Sequence, residues 1–273
     1  MKIGIVNASS RLDPARAEAV QAWFATHIPD GSVSVVFHPA SFGKHGHFGG
    51  DDASRASAFV EFANDPRLDA VWFARGGYGA CRIAEAVLPR LTGVARKKRY
   101  LGYSDAGSLL AGLYKAGFPH VAHGPMASDS VRRDPTAWRA VNWLVSGDPA
   151  SLEPSLAVDP RPAVAFNLSI LDALVGTYLE PDLSGHVLML EDVSEPLYRI
   201  DRMMFHLTAQ PSIRRVAGIR MGRVSAIVEN DPEFGMTAEE IARYWCQRSG
   251  IPYLGAADIG HDAANKIVPF GPR

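Results

Sequence analysis

The chain has 273 residues, of which 47% are hydrophobic, and 28 Lys and Arg residues against 29 Asp and Glu residues give it a formal net charge of −1. This composition is typical of a globular protein of one large domain or two ordinary ones. The balanced charge excludes the broad basic surface on which nucleic-acid binding depends, so no nucleic-acid partner is expected.

Cysteine content and hydropathy indicate the compartment. Two cysteines, Cys81 and Cys246, form neither a disulfide framework nor a metal-spacing motif, which favours a reducing environment. No apolar run is long enough to cross a bilayer, and no signal segment with a cleavage site is recognisable. We therefore expect a cytoplasmic protein with no membrane partner.

The first half of the chain alternates β-branched runs with amphipathic stretches. This pattern predicts strands at 2–7, 32–38, 68–74 and 100–103, and helices at 15–26, 53–64 and 80–91. Such alternation indicates βαβ units and a parallel sheet, whose ligands bind at the carboxyl ends of the strands. Two glycine-bearing turns, at 76–77 and 102–107, follow predicted strands and should lie at that edge.

Proline and glycine residues interrupt the chain at 131–162, where only 136–145 has helical spacing. We interpret this stretch as a linker between an N-terminal lobe at 1–130 and a C-terminal lobe at 163–273. In the second lobe, apolar patterns predict strands at 186–190 and 224–228 and helices at 200–207 and 238–248. The predicted fold class is α/β, with a parallel sheet of Rossmann-like type in the first lobe.

Ser104 lies in the segment Leu-Gly-Tyr-Ser-Asp-Ala-Gly at 101–107, between an apolar approach and a helix-like run. A strand, sharp turn and helix in this order expose a hydroxyl beside backbone N–H groups, which is the geometry of a serine nucleophile. Serine is also a preferred helix N-cap. The segment alone therefore leaves both roles open for Ser104.

The segment Arg-Gly-Gly-Tyr-Gly at 75–79 is the second glycine-bearing turn. It lacks the full spacing of a dinucleotide-binding loop and the Lys-Ser/Thr pair of a P-loop, so it is weak evidence for a nucleotide. It is equally consistent with a tight turn that requires positive φ. A third interpretation makes the N–H of Gly77 an oxyanion donor beside the N–H of Asp105.

A serine nucleophile needs an acid and a base. Glu191 follows an apolar strand and is a candidate acid, with Asp192 and Glu195 as competitors. His261 stands in a glycine-flanked loop that could aim its imidazole at a cleft, whereas His123, before Gly-Pro, could line a pocket or brace a turn. The order Ser, Glu, His is that of α/β-hydrolases.

The turn departs from an ordinary esterase or lipase. Ala106 replaces the second glycine of the Gly-x-Ser-x-Gly elbow, and the sequence has no His-Gly-Gly-Gly oxyanion segment. Both observations count against that class of hydrolase.

Taken together, these segments resemble the LD-carboxypeptidase family of serine peptidases, which includes the microcin C immunity peptidases. The matching pieces occur in the family's order at 75–79, 102–105, 123–125, 167–169, 190–193, 198–202 and 260–261. The resemblance implies that Ser104 is the nucleophile, that Glu191 and His261 complete a triad, and that the backbone of Gly77 and Asp105 forms the oxyanion hole. No cofactor and no metal are expected.

The resemblance also implies a β-rich α/β second lobe with the active site between the lobes. The expected reaction is hydrolysis of an L-to-D peptide bond, which releases terminal D-alanine from cytoplasmic murein tetrapeptides during peptidoglycan recycling, by a protein that is a homodimer. The expected substrate contacts are Arg75, Tyr103, His123 and Asn167. One departure is Ala-Phe at 165–166, where the family has Gly-Gly before Asn167.

Two alternatives remain open from the sequence. An immunity-type peptidase would use the same triad on a peptidyl-nucleotide and would need an aromatic clamp for the base. A nucleotide- or sugar-binding α/β module would use the glycine turn at Gly76 without bringing Ser104, Glu191 and His261 together.

Overall fold

A computed structural model describes residues 1–131 and 134–272 of the chain. Arg132 and Arg133, in the predicted linker, and Arg273, in the predicted C-terminal lobe, lie outside the described residues. The strands are β1 (Lys2–Val6), β2 (Ser34–Phe37), β3 (Ala70–Phe73), β4 (Arg99–Gly102), β5 (Val121–His123), β6 (Ala163–Asn167), β7 (Val187–Val193), β8 (Gly218–Ser225), β9 (Tyr253–Ala256) and β10 (Val268–Pro269). The α-helices are α1 (Pro14–His27), α2 (Asp52–Asn64), α3 (Ala80–Val87), α4 (Gly107–Lys115), α5 (Ala127–Ser130), α6 (Asp134–Ser146), α7 (Leu168–Leu174), α8 (Leu197–Ala209) and α9 (Ala238–Ser249).

Six strands form the first sheet, in the order β10-β5-β4-β3-β1-β2. Strands β1 to β5 pair in parallel, which confirms the predicted parallel sheet, and β10 is antiparallel to β5. The register places Val6 opposite Phe73 and Gly102 opposite His123. The loops that follow β1, β3 and β4 therefore meet at one edge, as expected for consecutive βα units.

Local sequence signals explain where the helices begin. Asp13 accepts a hydrogen bond from the N–H of Ala15 at 3.0 Å, and Pro14 occupies the first position of α1. Helix α9 begins with a capping box between Thr237 and Glu240 and ends at Gly250, which has a left-handed conformation.

The second sheet contains β6, β7, β8 and β9, all parallel. Two strand predictions need correction here. Strand β7 extends to Val193, beyond the predicted end at 190, and β8 ends at Ser225, so the strand predicted at 224–228 is wrong. The charged side chain of Arg220 interrupts the apolar pattern of β8, so the sequence did not indicate this strand. In the structure, the guanidinium of Arg220 donates to the Leu254 carbonyl of β9 at 2.6 Å.

A continuous hydrophobic core joins the two sheets. Phe166 and Leu190 from the second sheet belong to the same buried cluster as Tyr103 and Leu109, which follow β4. Helix α6, from the segment interpreted as a linker, packs its buried face on the other side of the first sheet. Within the described residues, no helix has the length and apolar character needed to cross a membrane.

Phe59 of α2 tests the packing of the first lobe. Its fully buried ring stacks on Phe73, with centroids 5.5 Å apart. Phe59→Ala should lower the free energy of unfolding by about 3–5 kcal/mol, measured by denaturant titration, because it leaves a cavity in a close-packed core. Phe205→Ala, at a site that is 53% exposed, is the matched control and should cost much less. Equal losses in the two variants would contradict this assignment of the core.

Candidate active site

Ser104 sits at the carboxyl edge of the first sheet, two residues beyond β4. Its φ is +55°, in the left-handed region that residues other than glycine seldom adopt. The N-cap of the following 3₁₀ turn is Tyr103, and no side chain that the structure describes caps that turn, so the N-cap interpretation of Ser104 is wrong. A serine held in a strained turn between a strand and a helix has the local geometry of a nucleophile elbow.

The glycine turn after β3 packs against Ser104. A Cβ placed on Gly76 would lie 2.8 Å from the Ser104 hydroxyl oxygen, and one on Gly77 would lie 2.0 Å from that of Ser10. Gly77 also has a φ of +121°, which confirms that this turn requires positive φ. Only glycine therefore allows the backbone to approach the hydroxyl of Ser104 this closely.

Glu191 and His261 form a direct pair. The Nδ1 of His261 lies 2.7 Å from Oε2 of Glu191, whose side chain is fully buried. The sequence predicts that Glu191 follows the strand, but the structure places it within β7. At this point the pairing of β7 with β8 shifts register between Leu190 and Asp192. A bulge of this kind re-aims a side chain, and these irregularities occur often beside active sites.

The two competing acids have other partners. Asp192 accepts hydrogen bonds from the N–H groups of Ser169, at 2.7 Å, and Val193, at 2.8 Å. Glu195 pairs with Arg199 at 2.8 Å, one helical turn away. Of the three candidates, the structure thus brings only Glu191 to His261.

His123 and Tyr103 enclose this pair. The Nε2 of His123 lies 3.5 Å from the other carboxylate oxygen of Glu191, and His123 is almost completely buried. The ring of Tyr103 lies 4.3 Å from that of His261, between centroids, and its hydroxyl donates to Asp129 at 3.3 Å. Glu191 is therefore held between two imidazoles.

Burial and charge set the protonation of the pair. Burial disfavours the charged form of His261, but the Glu191 carboxylate outweighs it and the pKa of His261 lies above its ordinary value of 6.5. Burial likewise opposes ionisation of Glu191, yet His261 and His123 hold the pKa of Glu191 below its ordinary value. The arrangement keeps an ionised acid against the Nδ1 of a basic imidazole.

The Nε2 of His261 is buried and has no hydrogen-bond partner among the described residues. The structure consequently does not join it to the hydroxyl of Ser104 by a hydrogen bond. Catalytic hydrogen bonds of this type are often long in free enzymes and tighten in the complex with substrate.

The loop that carries His261 is anchored to β8 and to α6. The Arg223 guanidinium binds Asp258 at 2.6 Å and also Asp262. From α6, the hydroxyl of Thr136 donates to the carbonyl of Ala263 at 2.9 Å. These contacts fix the loop on either side of the imidazole.

Sequence reasoning missed Gly222 as a requirement of this site. A Cβ on Gly222 would lie 2.8 Å from the carbonyl oxygen of Ile259 and 3.0 Å from the Cβ of Glu191. The absent side chain lets the His261 loop approach the strand that carries Glu191. A glycine inside a strand pattern is the signal that indicates such an approach.

A cavity of about 300 Å³ opens beside the pair. It is lined by Tyr103, Pro125, Asp129, Thr136, Val193, His261, Asp262, Ala263 and Asn265. A larger cavity, of about 680 Å³, is lined mainly by the loop at 227–237, before α9, and contains none of the candidate residues.

Arg75 and Asn167, the two remaining predicted substrate contacts, lie in different surroundings from each other. Arg75 donates to the carbonyl of Gly76 at 3.2 Å and to that of Arg11 at 2.9 Å, so part of its guanidinium is committed to the backbone. Asn167 lies opposite Glu191 in the second sheet, buried, and its side-chain oxygen has no partner in the described part of the chain.

Comparison with models of protein families identifies the family of this chain. The model of the LD-carboxypeptidase N-terminal domain matches residues 3–124, and that of the LD-carboxypeptidase C-terminal domain matches residues 162–273. The chain belongs to the LD-carboxypeptidase family. The resemblance inferred from the motifs is thereby confirmed, and the two sheets described above confirm the α/β fold class.

Two relatives of this chain are named as carboxypeptidases of murein peptides. The murein tetrapeptide carboxypeptidase of Pseudomonas aeruginosa is 27% identical over 76% of this chain and 71% of its own length. A Bacillus subtilis protein described as a probable murein peptide carboxypeptidase is 28% identical over 99% of this chain and 87% of its own.

Solved structures share the fold. The muramoyltetrapeptide carboxypeptidase from Oxalobacter formigenes superposes with a TM-score of 0.83 at 21% identity, over 99% of this chain and 93% of that one. The microcin C7 self-immunity protein MccF gives a TM-score of 0.79 at 18% identity, over 99% and 91%.

The His261–Glu191 pair predicts a specific titration. His261 should titrate above pH 6.5 in the unmodified protein, because the carboxylate stabilises its charged form. In Glu191→Gln the imidazole stays buried without the charge, so its pKa should fall, as measured by NMR of labelled histidine. Glu195→Gln, the matched control, should leave the titration unchanged. An identical His261 pKa in all three proteins would refute the electrostatic pairing.

Proposed function

We propose that this protein is a serine carboxypeptidase that hydrolyses the L-to-D peptide bond of murein tetrapeptides and releases terminal D-alanine. The observation that carries the proposal is the buried Glu191–His261 pair, in a family whose members include murein tetrapeptide carboxypeptidases. Ser104, held at positive φ beside a glycine turn, supplies the nucleophile. Cytoplasmic action in peptidoglycan recycling and a homodimeric state, both implied by the resemblance, belong to the same proposal.

The first half of the reaction forms an acyl-enzyme. The Ser104 Oγ attacks the carbonyl carbon that precedes D-alanine and transfers its proton to Nε2 of His261. Glu191 accepts the hydrogen bond from Nδ1 of His261, which selects the tautomer and stabilises the imidazolium. Collapse of the tetrahedral intermediate breaks the C–N bond, and His261 returns the proton to the departing amine of D-alanine.

Water completes the cycle. His261 removes a proton from the water that attacks the acyl-enzyme, and the tripeptide leaves with regeneration of the Ser104 hydroxyl. In both halves the negative charge on the carbonyl oxygen is stabilised by the N–H groups of Gly77 and Asp105.

Substrate contacts form the finer part of the proposal. Arg75 binds the terminal carboxylate through the guanidinium donors that the backbone leaves available, since a guanidinium matches a carboxylate in geometry and charge. Tyr103 lines the cavity beside His261, and Asn167 supplies a polar group at the second-sheet edge. The burial of His123 against Glu191 favours support of the acid over direct contact with substrate.

The structural likeness to MccF supports one alternative, cleavage of a peptidyl-nucleotide by the same three residues. The relatives found by sequence, at 27–28% identity, are named for murein peptides. Among the solved structures, the muramoyltetrapeptide carboxypeptidase has 21% identity and a TM-score of 0.83, against 18% and 0.79 for MccF. We therefore favour the murein substrate, and the same assay with a peptidyl-adenylate analogue separates the two.

Incubation with murein tri-, tetra- and pentapeptides tests the proposal. Mass spectrometry should find loss of one alanine from the tetrapeptide only. Ser104→Ala should lower kcat on the order of 10⁴-fold, because it removes the nucleophile. Ser34→Ala, at an exposed serine of β2, is the matched control and should retain full activity. Unchanged turnover in Ser104→Ala, or release of alanine from the pentapeptide, would contradict the proposal.

A further inference from the structure

The carboxylate of Asp105 has no part in the chemistry above, although the residue directly follows the nucleophile. Only 2% of Asp105 is exposed, so its side chain is cut off from solvent. It accepts hydrogen bonds from the hydroxyl of Ser9 and, at 2.8 Å, from the N–H of Ala80. A buried carboxylate that is satisfied by donors from distant parts of the chain is a candidate structural junction.

The carboxylate and its two donors come from segments that follow three neighbouring strands. Ser9 follows β1, Ala80 begins α3 directly after the glycine turn that follows β3, and Asp105 itself follows β4. These strands are adjacent in the first sheet, in the order β4-β3-β1. The carboxylate therefore connects the segments that follow these three strands, at the edge of the sheet where Ser104 lies.

Helix α3 depends on this carboxylate for its N-terminal cap. The N-cap residue is Gly79, which has no side chain to satisfy the first N–H groups of the helix. Asp105 accepts from Ala80, and the N–H of Gly79 also stabilises its charged form. Burial still raises the pKa of Asp105, and these donors offset part of that effect.

Arg55 holds the same turn from the opposite side. Its guanidinium, completely buried, donates to the carbonyl of Gly79 at 2.9 Å and to the carbonyl of Ala8. The N–H groups of Gly79 and Ala80 thus face Asp105, and the carbonyl of Gly79 faces Arg55. Gly77 lies in the same turn, two residues before Gly79.

We propose that the side chain of Asp105 is a positioning residue that sets the separation between the two oxyanion donors, the N–H of Gly77 and its own N–H. The inference rests on the proposed function, which assigns those donors. They belong to different loops, so the sheet alone does not hold them in register. One oxyanion donor contributes about 10²–10³ in kcat, which is the effect that misplacement would forfeit.

Asp105→Ala separates the two roles of this residue, because it keeps the backbone N–H and removes only the carboxylate. We expect kcat to fall by about 10–10³-fold with little change in KM, since the oxyanion forms only in the transition state. Asp105→Asn keeps an oxygen for the N–H of Ala80 and should recover most of kcat. Ser9→Ala, which removes one donor to the carboxylate, should have a smaller effect in the same direction.

A second readout is independent of the natural substrate. A fluorophosphonate forms a bond between the Ser104 oxygen and phosphorus, expels fluoride and transfers the serine proton to His261, with the phosphoryl oxygen in the oxyanion hole. Its labelling rate should fall in Asp105→Ala in parallel with kcat. Circular dichroism gives the folded fraction, against which both rates are normalised.

The outcomes are distinct. Normal kcat and normal labelling in folded Asp105→Ala would overturn the inference, as would a loss that only follows the folded fraction or no labelling of the unmodified protein. Labelling of the unmodified protein without release of D-alanine would refute the proposed substrate instead, and the labelling rates of the variants would still decide the role of Asp105.

Discussion

The buried pairing of Glu191 with His261 is the interaction on which the rest of the site depends. Glu191 belongs to the second sheet, whereas His261 lies in the loop between β9 and β10, and β10 pairs with the first sheet. Removal of one partner from a buried ion pair typically costs about 3–5 kcal/mol, because the other charge is left without compensation. The pair therefore holds the His261 imidazole at the junction of the two sheets as well as setting its protonation.

The surrounding structure is arranged to make this pairing possible. Gly222 has no side chain that would keep the His261 loop away from β7, and the bulge in β7 turns Glu191 toward that loop. Arg223, the next residue, binds acidic groups on either side of His261. A single strand, β8, thus provides both the space and the anchor for the His261 imidazole.

The first sheet contributes a different kind of order. Under the proposed mechanism its loops have to bring a hydroxyl and backbone N–H groups to one point, and backbone groups are placed by turns and not by rotamers. Ser104 is held at positive φ, and Gly76 allows the close approach of the second turn. Asp105, joined to Ser9 and Ala80, connects these loops by hydrogen bonds in a region without solvent.

The sequence by itself determined the parallel α/β lobe, the position of Ser104 after a strand, the need for positive φ near Gly77 and the family, because these follow from local periodicity, turn chemistry and the order of short motifs. Local pattern left Glu191 and Asp192 equal, and only the family resemblance favoured Glu191; no pattern extended β7 past residue 190 or joined the Asp105 carboxylate to Ser9 and Ala80. Those properties were decided by the tertiary structure. They depend on strand register, on a bulge and on contacts between residues up to 96 positions apart, which no local pattern encodes.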